Sequence, residues 1–572
     1  MAKIDLYYQE ELFRLQTLAS EYARANPSQA GHLVGAGSDP DVERILEGVA
    51  FLTAGLKEEL EKDQDQLLHN LLQVASPELL RPLPATTILR FMPRNALKSE
   101  MVLAAGTPVS GINNNGKRCE FRTLQPVTLW PLEISNVAFD KSRDHEPGVY
   151  KFTVNLTCTQ GSLGQLAGKQ LPLYLSGQHG MISKLMGSLL HHLDVFSAQA
   201  GERELDLVCP ELNTDFMHWP LTSDDIPELP GARLLQRYFL SSELAQSLML
   251  DLSQLPVDCQ EKVLSLTWYL DGQVDWPKLN LAEVVTLFAV PAVNLFVRDT
   301  PPQVRDHRQL YMPLQPRERS DEKLSVYRIL SVQGQFRSEP ESHQYLPFWD
   351  QVSVDDLIYQ EQISIHPITG ELQVSVALNG DLLKGQEVIR TRLFCSNGEE
   401  ANSLLPHQLT EHTTGSSEMV DFTNLTSPTP YRKVLPNRNM QWQAIQQLCS
   451  NLMGGLSLQS LRGGLRQLAA NGSADNARLQ ISLKKIDAIQ DLTVEHSERL
   501  LDAVLVRGFN LHLAVAGDHF PSKSEMKLFL TMLQQFFLSI VPVNHFCELS
   551  VTDKQTGEQV QWPPMLGRKP LL

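Results

Sequence analysis

Between Asp39 and Ala85, apolar residues return at helical spacing over a sector too wide for one contact. Val42, Ile45, Leu46, Val49, Leu56 and Leu60 keep a period near 3.6, and Ala50, Phe51 and Ala54 spread the apolar surface beyond one stripe. The start of this helix is legible: Asp39 can accept from orphan backbone N–H groups as N-cap, Pro40 stands at the first helical position, and Asp41 and Glu43 complement the positive end of the dipole. A second helix is predicted around Leu67, Leu68, Leu71 and Leu72, with Pro77, Pro82 and Pro84 ending the helical part. Upstream, Tyr8, Leu12, Leu15, Ala19 and Tyr22 step by four, three, four and three, a coiled-coil-like seam that Asn26 and Pro27 stop. Residues 1–85 therefore read as three helices with more apolar face than a small bundle covers. Either they cap the next domain or they join an intermolecular bundle, for which Val42, Ile45, Leu46, Val49, Leu56 and Leu60 are the candidate partner-binding face.

From Thr86 the period changes to two. In VYKFTVNLTC, Tyr150, Phe152, Val154 and Leu156 alternate with polar residues, as in an antiparallel sheet with one wet face, and Leu171, Leu173 and Leu175 repeat the alternation. Helices are predicted from Ile182 to Leu193 and from Ala232 to about Leu252, then a strand from Val263 to Leu270. VPAVNLF, followed by Pro301 and Pro302, reads as a domain edge; SVYRILSVQG and GELQVSVALNG are the strands of a second β-rich region; and a long loop is predicted from Ser396 to Arg438. At the C-terminal end helices are predicted at Trp442–Leu452 and Leu456–Ala469, and strands at LQISLK, AVLVRGFNLHLAVAG and HFCELSVTD. The clearest helix there starts with Ser522 and Glu525 in capping-box spacing and puts Met526, Phe529, Leu530, Leu533, Phe537 and Ile540 on one face. The fold class is α+β and multidomain: a helical segment (1–85), a β-rich domain with helical insertions (86–300), a second β-rich domain with the long loop (301–438) and a C-terminal α+β domain (439–572).

Composition narrows this picture. The chain has 572 residues, more than one ordinary core organises, and 42% hydrophobic with 20% charged residues is a globular balance. A formal net charge of −17 argues against binding to a phosphate backbone, while leaving basic protein partners open. Seven cysteines without a CxxC pair fit reduced, mostly buried thiols in a cytosolic protein. The start, MAKIDLYYQEELFRL, has no signal-peptide pattern, and the 17-residue apolar window from Leu281 contains Glu283, Pro291 and Asn294, too interrupted to span a bilayer.

Reactive constellations are weak. GSLGQLAGKQ has Gly168 and Lys169 but lacks the first glycine of a phosphate-binding loop, and Gln170 replaces the magnesium-binding Ser or Thr; a turn is the better reading. His191 and His192 are adjacent and so point to different helix faces; His191 and Asp194 are three apart, which on a helix makes a solvated face rather than a metal site. DHRQ from Asp306 sets two titratable groups side by side without catalytic geometry, and the sequons at Asn155 and Asn424 carry no mark of secretion. No catalytic, cofactor-binding or metal-ligating residue is assigned.

DPDVERILEGVAFLTA with LRPLPA from Leu80 resembles the signature of the TssF family (VasA, ImpG), baseplate subunits of the bacterial type VI secretion system. AAGTPVS, CEFRTLQPVTLWPLEI, VPAVNLF, RLFCSNGEEANSLL, LTSPTP, the Trp442 helix, RGFNLHLAV, VPVNHF and WPPMLGRKPLL follow in the family's order. The sequence departs from the family in QLCSNLMGGLSLQSL, where Gly454 and Gly455 stand in a run otherwise more regular. The resemblance implies a structural, non-enzymatic role. It places the chain in a cytoplasmic wedge beneath an inner-membrane complex, where two TssF copies wrap one TssG, TssE and TssK attach, and wedges surround a VgrG hub to support sheath and tube assembly and contraction. It also implies kinship with wedge proteins of contractile phage tails. The alternatives are a phage-tail wedge protein and a multidomain cytosolic enzyme with a site assembled from distant residues.

Overall fold

A computed structural model describes residues 2–26, 40–75, 81–94, 97, 99–141, 150–213, 230–271, 280–305, 311–319, 322–337, 340–350, 353, 356–365, 372–379, 386–413, 415, 417, 419–433, 456–472, 476–501 and 504–568. They form two compact units, one within Met1–Leu80 and one within Arg81–Leu435 and Ser450–Leu572. The first is a helical hairpin of α1 (Ala2–Ala25) and α2 (Pro40–Ala75). The two helices expected between Asp39 and Ala75 are thus one, because EKDQDQ between Leu60 and Leu67 contains good helix formers and no breaker. Gly48 and Gly55 lie inside α2 and are tolerated there.

The second unit is dominated by antiparallel sheets. A six-stranded sheet runs in the order Leu409–Glu411, Pro108–Ile112, Arg118–Thr123, Ala289–Val293, Thr86–Pro93, Val420–Asn424. Two of its strands come from the predicted long loop of 396–438, which also holds a 3-10 helix at Gly398–Ser403. Both pieces are short; Val420–Asn424 alternates buried and more exposed residues, whereas backbone pairing with a sheet edge, not a pattern of its own, makes Leu409–Glu411 a strand. A five-stranded sheet is built around Val263–Leu270, flanked by Leu193–Ala200 and Tyr150–Cys158, and a four-stranded sheet around Gln170–Leu175 and Ser247–Asp251. An eight-stranded sheet contains Phe296–Asp299, Glu387–Ser396 and Ser325–Phe336. Helix α3 (His179–His191) closes one end of the shared core, and α4 (Pro230–Leu240) is shorter than its sequence suggests, giving way to the strand Ser247–Asp251.

In the C-terminal part, α5 (Leu458–Gly472), α6 (Asn476–Asp487) and α7 (Lys523–Ile540) pack on a sheet in which Val504–Val515 and His545–Asp553 are parallel, joined through α7. LQISLK, expected as a strand, lies in α6. Its alternation covers only six residues, and burial follows Ser482, Lys485 and Ile486 at helical spacing while Ile481 is exposed. Conversely Ile489–Leu501 is an edge strand whose polar sequence hid it. The predicted helix Trp442–Leu452 lies outside the described residues. The core beneath α7 combines Phe529, Leu533 and Phe537 with Leu235 and Tyr238 of α4 and with Ile88, Tyr174 and Ala289 from the sheets, so this segment shares its core with the rest of the unit.

Candidate interaction surface

The helical hairpin is antiparallel. The Tyr7 hydroxyl donates to Glu61, and Lys57 Nζ lies 2.9 Å from Glu10 and 3.6 Å from Glu11, beside the Tyr7 ring. Along α1 the half-buried face is Tyr8, Leu12, Leu15 and Ala19; Tyr22, the last member of the predicted seam, is exposed. Along α2 the facing residues are Val42, Leu46, Ala50 and Ala54, the two alanines fully buried where the helices come close. Of the six candidate face residues, Val42 and Leu46 are therefore half-buried. Ile45, Val49, Leu56 and Leu60 are exposed and, with Leu52, make a stripe at steps of four, three, four and four beside the hairpin contact. Leu52 and Leu60 are 69% and 62% exposed, and Phe13 on α1 is 72% exposed; contiguous exposed apolar residues mark an interaction surface where single ones do not.

The motif segments in the second unit are packed very differently. Asn294 and Asn397, from VPAVNLF and RLFCSNGEE, are both buried and bond each other: Asn294 Nδ2 donates to Asn397 Oδ1 at 2.8 Å, and Asn397 N donates to Asn294 Oδ1 at 2.8 Å. CEFRT joins them, with Glu120 N donating to Asn397 Oδ1 at 3.0 Å and Glu120 O accepting from Asn294 Nδ2 at 2.6 Å. Arg298 spans Glu120 at 2.6 Å and Glu322 at 3.2 Å. Asn294 sits where the chain leaves the six-stranded sheet at Val293 and enters the eight-stranded one at Phe296, so three motifs converge on the junction of two sheets. The sequence reading missed Glu120, Asn294, Arg298, Glu322 and Asn397. The available signal was a lone Asn inside an otherwise apolar run.

A second convergence pairs LRPLPA and the residues after it with LTSPTP. Thr86 N donates to Thr429 Oγ1 at 2.9 Å, Thr87 Oγ1 donates to Thr426 O at 2.8 Å, and Leu83 bridges Arg432. In the third, RGFNLHLAV lies parallel to the strand His545–Asp553, which begins with the last two residues of VPVNHF, and Phe509 is stacked on His545 at 5.8 Å. A Cβ at Gly508 would stand 2.3 Å from Phe546 O, so only glycine lets these strands approach.

The weaker chemical candidates resolve individually. His191 ends α3, whereas Asp194 is in the following strand, so they do not share a helix face. Burial, then Lys527 and Lys523, push the His191 imidazole below its usual range. His192 Nδ1 instead lies 3.1 Å from Asp271 Oδ2. Gly161 and Gly168 have positive φ in a turn, and Lys169 sits over Trp130, 3.6 Å from Glu100. Asp306 and His307 lie outside the described residues. Asn155 accepts from Ser265 Oγ at 2.8 Å, and buried Asn424 donates to Leu405 O and Thr426 O, so both sequon side chains are engaged internally. Six described cysteines are free thiols; Cys449 lies outside the described residues. An open cleft of about 630 Å³ contains Phe288 and His407, both at positive φ; their main chains bond Phe91 N and Asn424 O, so the unusual backbone serves strand pairing. Among the described residues no cluster of His, Cys, Asp and Glu has a metal-holding arrangement, and no helix is long and apolar enough to cross a membrane.

Motif residues are locked into internal joints of the second unit, and an apolar stripe is left exposed on the helical hairpin. The chain belongs to the TssF family of the type VI secretion system, whose family model matches residues 1–569. The type VI secretion system component TssF1 of Pseudomonas aeruginosa is 30% identical over 325 residues, 51% of this chain and 51% of that protein; the match thus spans about half the length of that curated relative. Among solved structures, a chain of the TssK-TssF-TssG baseplate subcomplex revealed by cryo-electron microscopy aligns with a TM-score of 0.72 at 21% identity, covering 92% of this chain and all of that one. A chain of the type VI secretion baseplate complex aligns with a TM-score of 0.60 at 18% identity, covering 99% of this chain and all of that one. At these identities the likeness is one of fold.

Proposed function

We propose that this chain is a structural, non-enzymatic component of a type VI secretion baseplate wedge, and that α1 and α2 are its contribution to a helical bundle shared with TssG. The observation that carries the reading is the exposed stripe Ile45, Val49, Leu52, Leu56 and Leu60. Covering it supplies on the order of several kcal/mol of gross association energy, since each fully buried aliphatic side chain is worth roughly 1.5–3 kcal/mol and these are already partly covered. In this reading a second TssF copy shares the same TssG. TssK, TssE and a VgrG hub complete the surroundings in the cytoplasm beneath the membrane complex, and the wedge is kin to those of contractile phage tails. Two identical chains about one partner occupy non-equivalent environments, so the two copies differ in the arrangement of their units.

The test is co-purification with TssG. Val49→Glu with Leu56→Glu is expected to abolish recovery of TssG while circular dichroism of the chain stays helical and its second unit unfolds at the unchanged temperature. Intact complex formation with both substitutions present rejects the assignment of the bundle face.

A further inference from the structure

The N-terminus of α7 meets α3 and the turn after α4 around a buried polar cluster. Glu525, the third residue of α7, is 3% exposed. Its Oε1 accepts from Lys485 Nζ at 2.5 Å and from the Tyr238 hydroxyl at 2.5 Å, and Lys485 Nζ also donates to the Tyr238 oxygen at 2.8 Å. Its Oε2 lies 3.4 Å from His179 Nε2 at the start of α3. His179 Nε2 is also 3.0 Å from Ser242 Oγ, and His179 Nδ1 is 2.9 Å from Gln246 Nε2. With Gln246 Nε2 donating to Nδ1, the imidazole N–H is on Nε2 and faces Glu525. Ser183 Oγ and Ser522 Oγ are 2.8 Å apart, and Ser522 Oγ accepts from Glu525 N at 3.1 Å.

Two atoms break this otherwise closed pattern. Gln246 Oε1 and Ser524 Oγ are buried without a hydrogen-bond partner, on side chains only 2% and 5% exposed. A buried polar atom left unpaired costs about 1–3 kcal/mol, so two such atoms on residues lining one cavity call for an explanation. Turning the Gln246 amide over does not remove the problem, because its nitrogen then takes the unpartnered place. Both residues line one small cavity of about 10 Å³, with His179, Ser183, Ser242 and Glu525 supplying polar wall and Met186, Leu212, Ala245 and Leu528 the apolar remainder. That volume is about one water-sized sphere, and a buried water requires two to four polar partners. The cavity is too small for an organic ligand.

We infer that a single water molecule occupies this cavity, donating to Gln246 Oε1 and exchanging a hydrogen bond with Ser524 Oγ, and so completes the polar joint that ties α7 to α3 and to the Ser242–Gln246 turn. The water is a structural part of the protein, satisfying groups that these three segments bring together but cannot pair among themselves. It stands beside the Lys485–Glu525 pair, where the alternative, a second unpaired polar surface in a low-dielectric interior, is costly.

The experiment is a density map of the full chain, crystallised alone or imaged in its complex, at a resolution where ordered water is visible. One peak within hydrogen-bond distance of both Gln246 Oε1 and Ser524 Oγ is the expected result. An empty cavity, or a side-chain rearrangement that pairs the two atoms with protein, overturns the inference, as does a peak with contacts shorter than hydrogen bonds, which identifies a bound cation. In Ser524→Val, whose branched side chain fills the space, the peak is expected to be absent, and its persistence there counts equally against the assignment.

Discussion

Asn294 and Asn397 hold each other through both side chains and one backbone N–H, out of contact with water. Removing the Asn294 amide leaves Asn397 N without its acceptor, removing the Asn397 amide leaves Glu120 N without its own, and each buried orphan costs about 1–3 kcal/mol. Asn294→Ala and Asn397→Ala are each expected to lower unfolding free energy by about that amount, and the double variant by clearly less than the sum, because both remove one contact. Urea titration of the four proteins measures this; strict additivity would mean that the pair does not act as a unit. At the same scale, burial pushes the Cys119, Cys395 and Cys547 thiols up to about 12, with the nearby Glu400 carboxylate adding to the effect at Cys119. At pH 8 these three are expected to resist a thiol reagent until the chain unfolds, as mass spectrometry of labelled protein would show.

Among the elements, α7 shows how one residue type serves two purposes. The capping-box spacing of Ser522 and Glu525 is real on one side only. Ser522 Oγ caps Glu525 N, but the Glu525 carboxylate turns away to Lys485 and Tyr238. Two different magnitudes follow. Ser522→Ala removes a cap worth about 1 kcal/mol together with the hydroxyl contact to Ser183. Glu525→Gln leaves Lys485 buried without its counter-charge and is expected to cost roughly 3–5 kcal/mol. Thermal unfolding of the two variants should therefore differ clearly, and equal effects would show that Glu525 acts as a cap and nothing more. In α2 the element's length is also informative. Continuous helix from Pro40 to Ala75 keeps the exposed residues Ile45, Val49, Leu52, Leu56 and Leu60 at helical spacing on one element, where a partner helix can pack.

For the whole molecule, the buried cluster at α7 sets an acid limit. Burial opposes ionisation of Glu525, but Lys485 and then His179 outweigh it and hold the carboxyl well below the usual carboxylate range. A carboxyl depressed in the folded state stabilises fully above its unfolded value of about 4.3 and loses that contribution as pH falls towards the folded value. Stability is thus expected to be insensitive to this group between pH 5 and 7 and to fall below about pH 4.3, with the acid slope reduced in Glu525→Gln; an unchanged slope would remove Glu525 from the account. The net charge of −17 adds self-repulsion at neutral pH and favours basic surfaces on partners, an effect weakened by salt.

The amino-acid sequence by itself determined the start of α2 at Pro40, the alternating strands such as Tyr150–Cys158, the buried face of α7 and, through ordered motifs, the family. These are local signals: a cap, a period, a phrase, each readable within about fifteen residues. Only the tertiary structure decided what has no local period. Short pieces such as Leu409–Glu411 become strands because a sheet edge far away in sequence offers partners. LQISLK is helical because of which side chains its neighbours bury. Asn294, Asn397, Glu120 and Glu525 look like ordinary polar residues until folding brings together groups hundreds of positions apart and excludes water from them. Desolvation makes those pairings strong, and desolvation is a property of packed neighbours, not of a stretch of chain.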